Sequence, residues 1–272
     1  MRTATKTGKG PTSGKLHKAF VANLHGWNVY CVDSSEVRSV AKPDEEFGNF
    51  ATQEEFPALI PKGEIWLGEK SFDEEGICFL SNALVRLQHK GRGASEKRAY
   101  DAGIEAEQKL REALSGLKYR DGRPHRRVPE NIYHEQYITL DDPQFSIEVW
   151  RVDGNLVRCV YKTDYTEGGH GYVYPWVPKG QIWLESGLDE WELPFIVSHE
   201  YLELRLMRDR GLQYDKAHEI CSQVEFDLRK GRGAKSLLSA SRREMQKHDL
   251  PGITEEDVFE YILSAYVQAR TH

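Results

Sequence analysis

The chain has 272 residues, of which 43 are acidic and 37 are basic, and its formal net charge is −6. Hydrophobic residues make up 39% of the chain, which is enough for a packed core and excludes a mainly disordered protein. No continuous apolar stretch approaches the ~20 residues of a membrane-spanning helix, and the acidic balance gives no general reason to expect nucleic acid as a partner.

Residues 1–26 are predicted to form a flexible, basic tail. The first 18 of them are rich in Gly, Thr and Ser, and no apolar stretch follows their basic residues, so they do not resemble a secretion signal. The chain has four cysteines, and none of them forms a close pair. Scattered cysteines without a secretion signal favour reduced thiols and a cytoplasmic location.

The sequence contains an internal duplication. Three pairs of segments match in the same order along the chain: residues 29–40 with 149–160, 61–67 with 178–184, and 100–101 with 214–215. We therefore predict two units, copy one over residues 27–117 and copy two over residues 146–230, packed as a pseudo-dimer. Residues 118–145 are expected to form a charged linker, and residues 231–272 a basic segment and a C-terminal helix.

Each copy is predicted to begin with a small antiparallel sheet and to end with two helices, which gives an α+β fold with one further C-terminal helix. In copy two, residues 147–152 and 156–161 alternate apolar and polar side chains around an Asp-Gly-Asn turn, a pattern typical of a β-hairpin. A Gly-rich loop is expected at residues 168–171. Residues 172–176 and 181–185 are predicted to form two more strands.

Two helices are predicted to complete copy two, over residues 194–210 and 213–229. Pro194 is suited to the first turn of the first helix, and Gly211 is suited to its end. In copy one, the first helix is predicted to end near Gly91.

The C-terminal helix is predicted to begin near Thr254, because a threonine followed by three acidic residues is typical of a helix start. Its apolar residues recur at helical spacing and are predicted to face the core; they are Phe259, Ile262, Leu263 and Tyr266. The basic residues 229–247 precede this helix, and they could contact the phosphates of a nucleic acid or form a solvated surface.

The first helix of copy two carries an unusual group of ionisable side chains. His199 and Glu203 are four residues apart and therefore project from one face of the helix. Helical periodicity places both within the apolar arc of the helix, where an unpaired carboxylate is destabilising. A partner side chain or a bound metal ion would remove that penalty.

The second helix carries His218 and, two turns later, Glu225. The loop between the helices is short, so the helices should pack antiparallel and bring His218 towards His199 and Glu203. Two imidazoles and one carboxylate suit a catalytic zinc ion, which keeps a fourth position open for water. Glu200 is then expected to be the general base.

Four further residues are candidates for supporting this site or contacting a substrate. Asp215 lies one turn before His218 and could orient its imidazole. Glu225 and Tyr214 lie on the same helix as His218. His170 lies in the Gly-rich loop, where it could contact a substrate, ligate the metal or be solvated.

This pattern resembles the zincin metallopeptidases over about residues 178–225. In that family a helix carries two metal ligands and the catalytic glutamate, an upstream edge strand binds the substrate, and a later helix supplies the third ligand. The counterparts here are residues 181–185, then His199, Glu200 and Glu203, and then His218. Glu203 stands where the family has its second histidine, so the ligand set is still two histidines and one glutamate, in exchanged order. The resemblance implies zinc and a peptide or protein substrate.

Copy one lacks these side chains. The duplication aligns His199, Glu200, Glu203 and His218 with Asn82, Ala83, Arg86 and Ile104, respectively. None of these four counterparts is a typical zinc ligand. We therefore expect the fold of copy one to form without the site.

These patterns predict a zinc-dependent hydrolase, most simply a peptidase, in which copy one serves packing or substrate recognition. The alternative is a non-catalytic, two-lobed binding or adaptor protein in which the His/Glu cluster is a structural, hydrogen-bonded group. Metal content distinguishes these two functions.

Overall fold

The computed structural model describes residues 13–117 except 44 and 46, residues 130–231, and residues 255–272. Copy one consists of β1 (His17–Leu24), β2 (Trp27–Val32), α1 (Ser34–Val40), β3 (Phe50–Thr52), β4 (Glu64–Gly68), α2 (Glu69–Gly91) and α3 (Glu96–Ser115). Copy two consists of β5 (Tyr133–Leu140), β6 (Ile147–Val152), α4 (Gly154–Val160), β7 (Gly168–His170), β8 (Gln181–Glu185), α5 (Leu193–Arg210) and α6 (Tyr214–Arg229). A further helix, α7 (Glu255–Thr271), follows copy two.

Both copies have the same topology, which confirms the predicted α+β fold of two tandem units. Each contains a four-stranded sheet, with strand orders β1-β2-β4-β3 and β5-β6-β8-β7. In each sheet two of the three pairings are antiparallel, and the second strand pairs parallel with the strand that precedes the long helix. The first pairing of each sheet has irregularities at equivalent places, after His17 and after Tyr133.

Both copies begin earlier than the sequence suggested. β1 lies within residues 1–26, which we expected to be a flexible tail, and β5 lies within the expected linker, residues 118–145. Both strands are at the edge of a sheet and most of their side chains are exposed or half-buried. They therefore lack the strict alternation of apolar and polar residues that marks a strand with one buried face.

The predicted β-hairpin of copy two is wrong in its second half. Residues 147–152 form β6 as expected, but Gly154–Val160 forms helix α4. The Asp153 carboxylate accepts a hydrogen bond from the backbone N–H of Leu156 at 2.8 Å and so caps this helix. Asp33 caps α1 in the same way. An alternation over so few residues does not distinguish a strand from a short helix.

The glycine-rich segment of copy two is also different from the prediction. Residues 172–176 form turns instead of a strand, and Gly168–His170, predicted as a loop, forms the edge strand β7. A Cβ atom on Gly168 would lie 3.0 Å from a carboxylate oxygen of Glu200. The absence of a side chain therefore lets β7 lie directly against α5.

The long helices of copy two agree with their predicted bounds. α5 covers Leu193–Arg210 and has Pro194 in its first turn. Gly211 ends it with a backbone φ of 67°, a conformation that favours glycine. α6 follows after three residues. In copy one, α2 ends at Gly91, as predicted.

α7 covers one side of copy two, where it packs against α5 and β5. It begins at Glu255, next to the predicted start, and Thr254 itself lies outside the described residues. The α7 side chains that join the core of copy two are Tyr261, Ala265 and Ala269. Of the predicted apolar stripe, Tyr266 is half-buried, and the other side chains lie outside the described residues: Phe259, Ile262 and Leu263. No helix in the described ranges is both long and apolar enough to cross a membrane.

Two equivalent ion pairs connect the copies. Arg38 of α1 binds Glu192, just before α5, and Arg158 of α4 binds Glu75 of α2. The two arginines occupy the same position after the capping aspartates of their short helices. The short helix of each copy therefore contacts the start of the long helix of the other, as in a symmetric dimer interface.

Candidate metal centre

Three side chains of α5 and α6 bring possible ligand atoms together. His199 Nε2 lies 3.2 Å from His218 Nδ1 and 3.8 Å from Glu203 Oε1, and His218 Nδ1 lies 2.9 Å from Glu203 Oε1. A tetrahedral zinc ion with bonds of ~2.0–2.1 Å holds its ligand atoms about 3.3 Å apart. The three residues therefore form a ligand triangle that could hold a metal ion.

The two helices explain why this triangle forms. His199 and Glu203 are one turn apart on the inner face of α5, and both are buried. The short connection after Gly211 places α6 against α5, so that His218 reaches both of them. His218 is half-buried, and all three residues line a pocket at the surface. The ligand triangle is therefore accessible from one side.

Glu225 supports His199 from behind the ligand triangle. Its Oε2 lies 2.8 Å from His199 Nδ1, and a hydrogen bond there directs Nε2 into the triangle. Carboxylates commonly orient metal-binding imidazoles in this way. Burial opposes ionisation of Glu225, but the nearby Arg229 guanidinium and the bond to His199 outweigh it and lower the pKa of Glu225 to about 2.

The charges of the ligand triangle stabilise one another. Burial alone would lower the pKa of His199, but the neighbouring carboxylates of Glu203 and Glu225 raise that pKa well above the usual value. Burial alone would raise the pKa of Glu203, but the three neighbouring histidines, His170, His199 and His218, lower it well below the usual value. A metal ion bound here would displace protons, because its ligands must be deprotonated.

His170 lies beside the other oxygen of Glu203. It lies in β7 and is fully buried, so the solvated position considered for it is wrong. Its Nδ1 accepts a hydrogen bond from the Tyr172 N–H at 3.2 Å. Its Nε2 lies 3.2 Å from Glu203 Oε2 but makes no hydrogen bond within the described part of the chain. His170, Glu200 and Glu203 lie within ligand distance of one another. His170 is therefore a third buried imidazole beside the Glu203 carboxylate, and its role as a further ligand stays a prediction.

Glu200 lies beside the ligand triangle and lines the same pocket. One of its carboxylate oxygens lies within 4.8 Å of ligand atoms of His170 and Glu203. Burial, and then the charge of Glu203, raise the pKa of Glu200 to about 8. A carboxyl group with a strongly raised pKa in a cleft is a candidate for proton transfer.

The other two candidate residues of α6 differ in placement. Tyr214 stacks on His218, with ring centroids 5.1 Å apart. Asp215 is exposed and makes no polar contact within the described part of the chain, so the expected orienting role of Asp215 is wrong. His218 turns its Nδ1 inwards to Glu203, and Ser222 Oγ lies 3.5 Å from its Nε2.

The strand expected to bind substrate is not at the edge of the sheet. β8 lies between β6 and β7, because the Gly-rich segment adds a strand beyond it. The edge strand beside Glu200 is β7. The layout implied by the zincin resemblance is therefore incorrect for residues 181–185.

The equivalent position in copy one has different polar contacts. Within the described ranges, copy one contains no group of metal-ligand atoms like the triangle. Asn82 Nδ2 donates a hydrogen bond to Glu107 Oε2 at 2.7 Å, and Arg86 forms an ion pair with Glu55. Copy one thus keeps the fold without the histidines.

Copy one nevertheless contributes to the pocket over the triangle, which we did not predict. Arg38, Lys42, Glu45 and Phe47 line the pocket from the copy-one side. They lie in or just after α1, far along the chain from α5. No local spacing pattern marks such residues, because they reach the site only through the packing of the two copies.

The basic residues 229–247 are described only at their start. Arg229 is almost fully buried and forms ion pairs with Glu192 and Glu225, so it does not present its charge to phosphates. Lys230 donates a hydrogen bond to the Ser39 carbonyl oxygen. Residues 232–247 lie outside the described ranges, and a nucleic-acid partner for them stays a prediction.

No protein-family model, curated protein or solved structure matches the chain. The zincin resemblance is therefore supported by the motif residues alone. What the site can do chemically has to follow from its own geometry and charges.

Proposed function

We propose that this protein is a zinc-dependent hydrolase that cleaves peptide bonds, with His199, Glu203 and His218 as the zinc ligands. One observation carries the proposal: the three ligand atoms converge at distances of 2.9–3.8 Å beside an open pocket. Two histidines and one carboxylate leave a fourth coordination position free, as in catalytic zinc sites.

Glu200 is the general base of the proposed reaction. A bound zinc ion would polarise the substrate carbonyl and lower the pKa of a water molecule. Glu200 lies in the pocket without being one of the three ligands, so its carboxylate can take a proton from the attacking water and pass it to the leaving amine. Its pKa is about 8 without metal, and a nearby divalent cation would lower that pKa and favour the ionised base.

A peptide substrate is supported by the order of the site residues and by the pocket. The ligands and the base follow one another along α5 and α6 much as in the metallopeptidases that the sequence resembles. The pocket combines charged groups with the aromatic rings of Tyr174, Tyr214 and Phe226. Such a lining suits a substrate that has a polar backbone and varied side chains.

Metal analysis and the substitution Glu200→Gln test the proposal together. Wild-type protein should hold a stoichiometric amount of zinc. Glu200→Gln should keep the zinc and the melting temperature, because the amide is nearly isosteric and the side chain is not a ligand. Cleavage of a quenched fluorescent peptide library should fall by about 10²–10⁴-fold. Glu105→Gln, at an exposed position on α3, is the control and should keep full activity.

The two parts of the proposal fail separately. Full activity of Glu200→Gln would contradict its role as the base but leave the metal centre standing. Protein that stays free of zinc and of other transition metals, even after metal is added back, would contradict the metal centre itself.

A non-catalytic binding protein is the second candidate, and one observation favours it. His199 already has carboxylate neighbours on both sides without a metal ion, Glu225 at 2.8 Å and Glu203 at 3.8 Å. A buried, fully paired cluster of this kind can serve to hold α5 against α6. If that is the role of the cluster, the wild type binds no metal. His199→Asn then lowers the melting temperature, and neither protein contains zinc.

A further inference from the structure

A chain of charge-assisted hydrogen bonds leads from copy one to the metal centre. Arg38 of α1 donates from Nε and Nη2 to the two carboxylate oxygens of Glu192, at 2.8 and 2.6 Å. Arg229 donates to Glu192 Oε1 at 3.2 Å and to Glu225 Oε1 at 2.7 Å. Glu225 Oε2 lies 2.8 Å from His199 Nδ1. The proposed ligand His199 is thereby connected to a side chain of the other copy.

All five side chains in this series of hydrogen bonds are shielded from water. None of them is more than 15% exposed, and Glu192 is fully buried. At such burial the charges are weakly screened by salt, and each one needs a partner. Without Arg38, Glu192 would be left with Arg229 alone. Glu167, which lies 3.5 Å from Arg38, would also depend on Arg229. Arg229 would then have to balance three carboxylates, and its hydrogen bond to Glu225 would weaken.

A corresponding chain runs in the opposite direction, from copy two into copy one. Its members are, in order, Arg158, Glu75, Arg111, Glu107 and Asn82, joined by hydrogen bonds of 2.5–2.8 Å. Glu107 and Arg111 occupy the same places in α3 as Glu225 and Arg229 in α6, counted from the helix starts at Glu96 and Tyr214. The match of the Tyr-Asp dipeptides is therefore one helical turn out of register, and the counterpart of His218 is Tyr100 and not Ile104. Asn82 is the counterpart of His199, so this second chain ends on a residue that does not bind zinc. The molecule therefore contains a matched control.

We infer that Arg38 of copy one is a positioning residue that holds His199 in its metal-binding orientation through three intervening charged side chains. This inference rests on the proposed zinc function. It gives copy one a specific role at a site whose ligands all come from copy two. Loss of Arg38 should loosen the contact between Glu225 and His199, and His199 Nε2 should then point into the ligand triangle for less of the time.

Arg38→Met and Arg158→Met form the matched pair of variants. Each replaces a buried arginine by an apolar side chain of similar length, and each breaks an ion pair between the copies. Zinc affinity is measured on the full chain by competition with a fluorescent chelator. Arg38→Met should weaken zinc binding by about 10-fold, the lower end of the effect of residues that support a metal ligand. Arg158→Met should leave zinc binding at the wild-type value.

A spectroscopic measurement separates positioning from general loosening of the fold. The visible absorption of bound Co²⁺ reports the geometry of its ligands, and it should change in Arg38→Met but not in Arg158→Met. Arg38→Lys keeps the charge but loses the two parallel hydrogen bonds, so it should give an intermediate zinc affinity. Arg38→Lys is also the variant to measure if Arg38→Met does not fold.

The outcomes distinguish this inference from the proposed function. If the wild type binds zinc, and the Arg38 and Arg158 variants have equal zinc affinities and equal cobalt spectra, Arg38 has no positioning role and the proposed function is unaffected. If the wild type binds neither zinc nor cobalt, the proposed function is wrong and the inference falls with it.

Discussion

Replacement of Glu225 by glutamine tests directly how His199 is held. Glu225 Oε2 lies 2.8 Å from His199 Nδ1 in a shielded position, and Arg229 fixes the other carboxylate oxygen. Glutamine keeps the shape of the side chain, and its oxygen can still accept the Nδ1 proton. Its NH2 group then faces Arg229 and cannot accept from it, and the negative charge behind the imidazole is lost. Carboxylates that support a metal ligand typically contribute 10–100-fold in affinity, which corresponds to about 1.4–2.7 kcal/mol.

We therefore expect the zinc Kd of Glu225→Gln to be about 10–100-fold higher than that of the wild type. Competition with a fluorescent chelator at neutral pH measures this Kd, and a thermal melt of the metal-free protein shows whether the fold is kept. Glu107→Gln is the matched control. Glu107 is buried in copy one and binds Asn82 and Arg111. Its replacement should leave the zinc Kd unchanged.

Two results would count against this reasoning. If Glu225→Gln is folded and binds zinc with the wild-type Kd, then His199 either is not a ligand or does not depend on its carboxylate. If Glu107→Gln weakens zinc binding to the same extent, the effect comes from general loosening of the helices and not from the contact with His199.

Two further predictions concern stability. Zinc at 100 times its Kd should raise the free energy of unfolding by about 2.7 kcal/mol, and His199→Ala should abolish this increase in urea titrations with and without a chelator. Although burial opposes it, hydrogen bonds from Ser35 and from the Glu36 backbone lower the pKa of Asp33 to about 2. The ionised Asp33 carboxylate therefore stabilises the folded protein fully at pH values above its unfolded-state pKa of about 3.9, and this stabilisation is lost as the pH falls towards 2. The difference in unfolding free energy between the wild type and Asp33→Asn should shrink over that range. A difference that stays constant from neutral to acidic pH would show that the Asp33 charge contributes nothing.

Local sequence signals were sufficient for the long helices and for the grouping of the candidate ligands. Pro194 and Gly211 mark the ends of α5, because proline fits a first helical turn and glycine adopts the left-handed conformation of a helix end. The four-residue spacing and the short loop then bring His199, Glu203 and His218 together. Whether they bind zinc stays a prediction, since spacing alone does not distinguish a metal site from a hydrogen-bonded cluster.

Features that depend on packing could not be read from local patterns. β1 and β5 are edge strands with few buried side chains, so their sequences do not alternate strictly. His170 is buried because β7 packs closely on α5, and nothing in a Gly-rich stretch distinguishes such a strand from a loop. Arg38 and Glu192 are 154 residues apart in the chain, and only the packing of the copies brings them into contact.

One polypeptide carries both copies, and reciprocal ion pairs cross between them at Arg38 with Glu192 and at Arg158 with Glu75. In a dimer of separate subunits such contacts would come apart on dilution. Covalent connection replaces the concentration of a partner subunit by a fixed effective concentration, which is in the millimolar range for short flexible connections. The pocket between the copies thus stays assembled however little protein is present. The positions of copy one that correspond to His199 and Glu203 could therefore change to other residues, while copy one still forms one wall of the pocket of copy two.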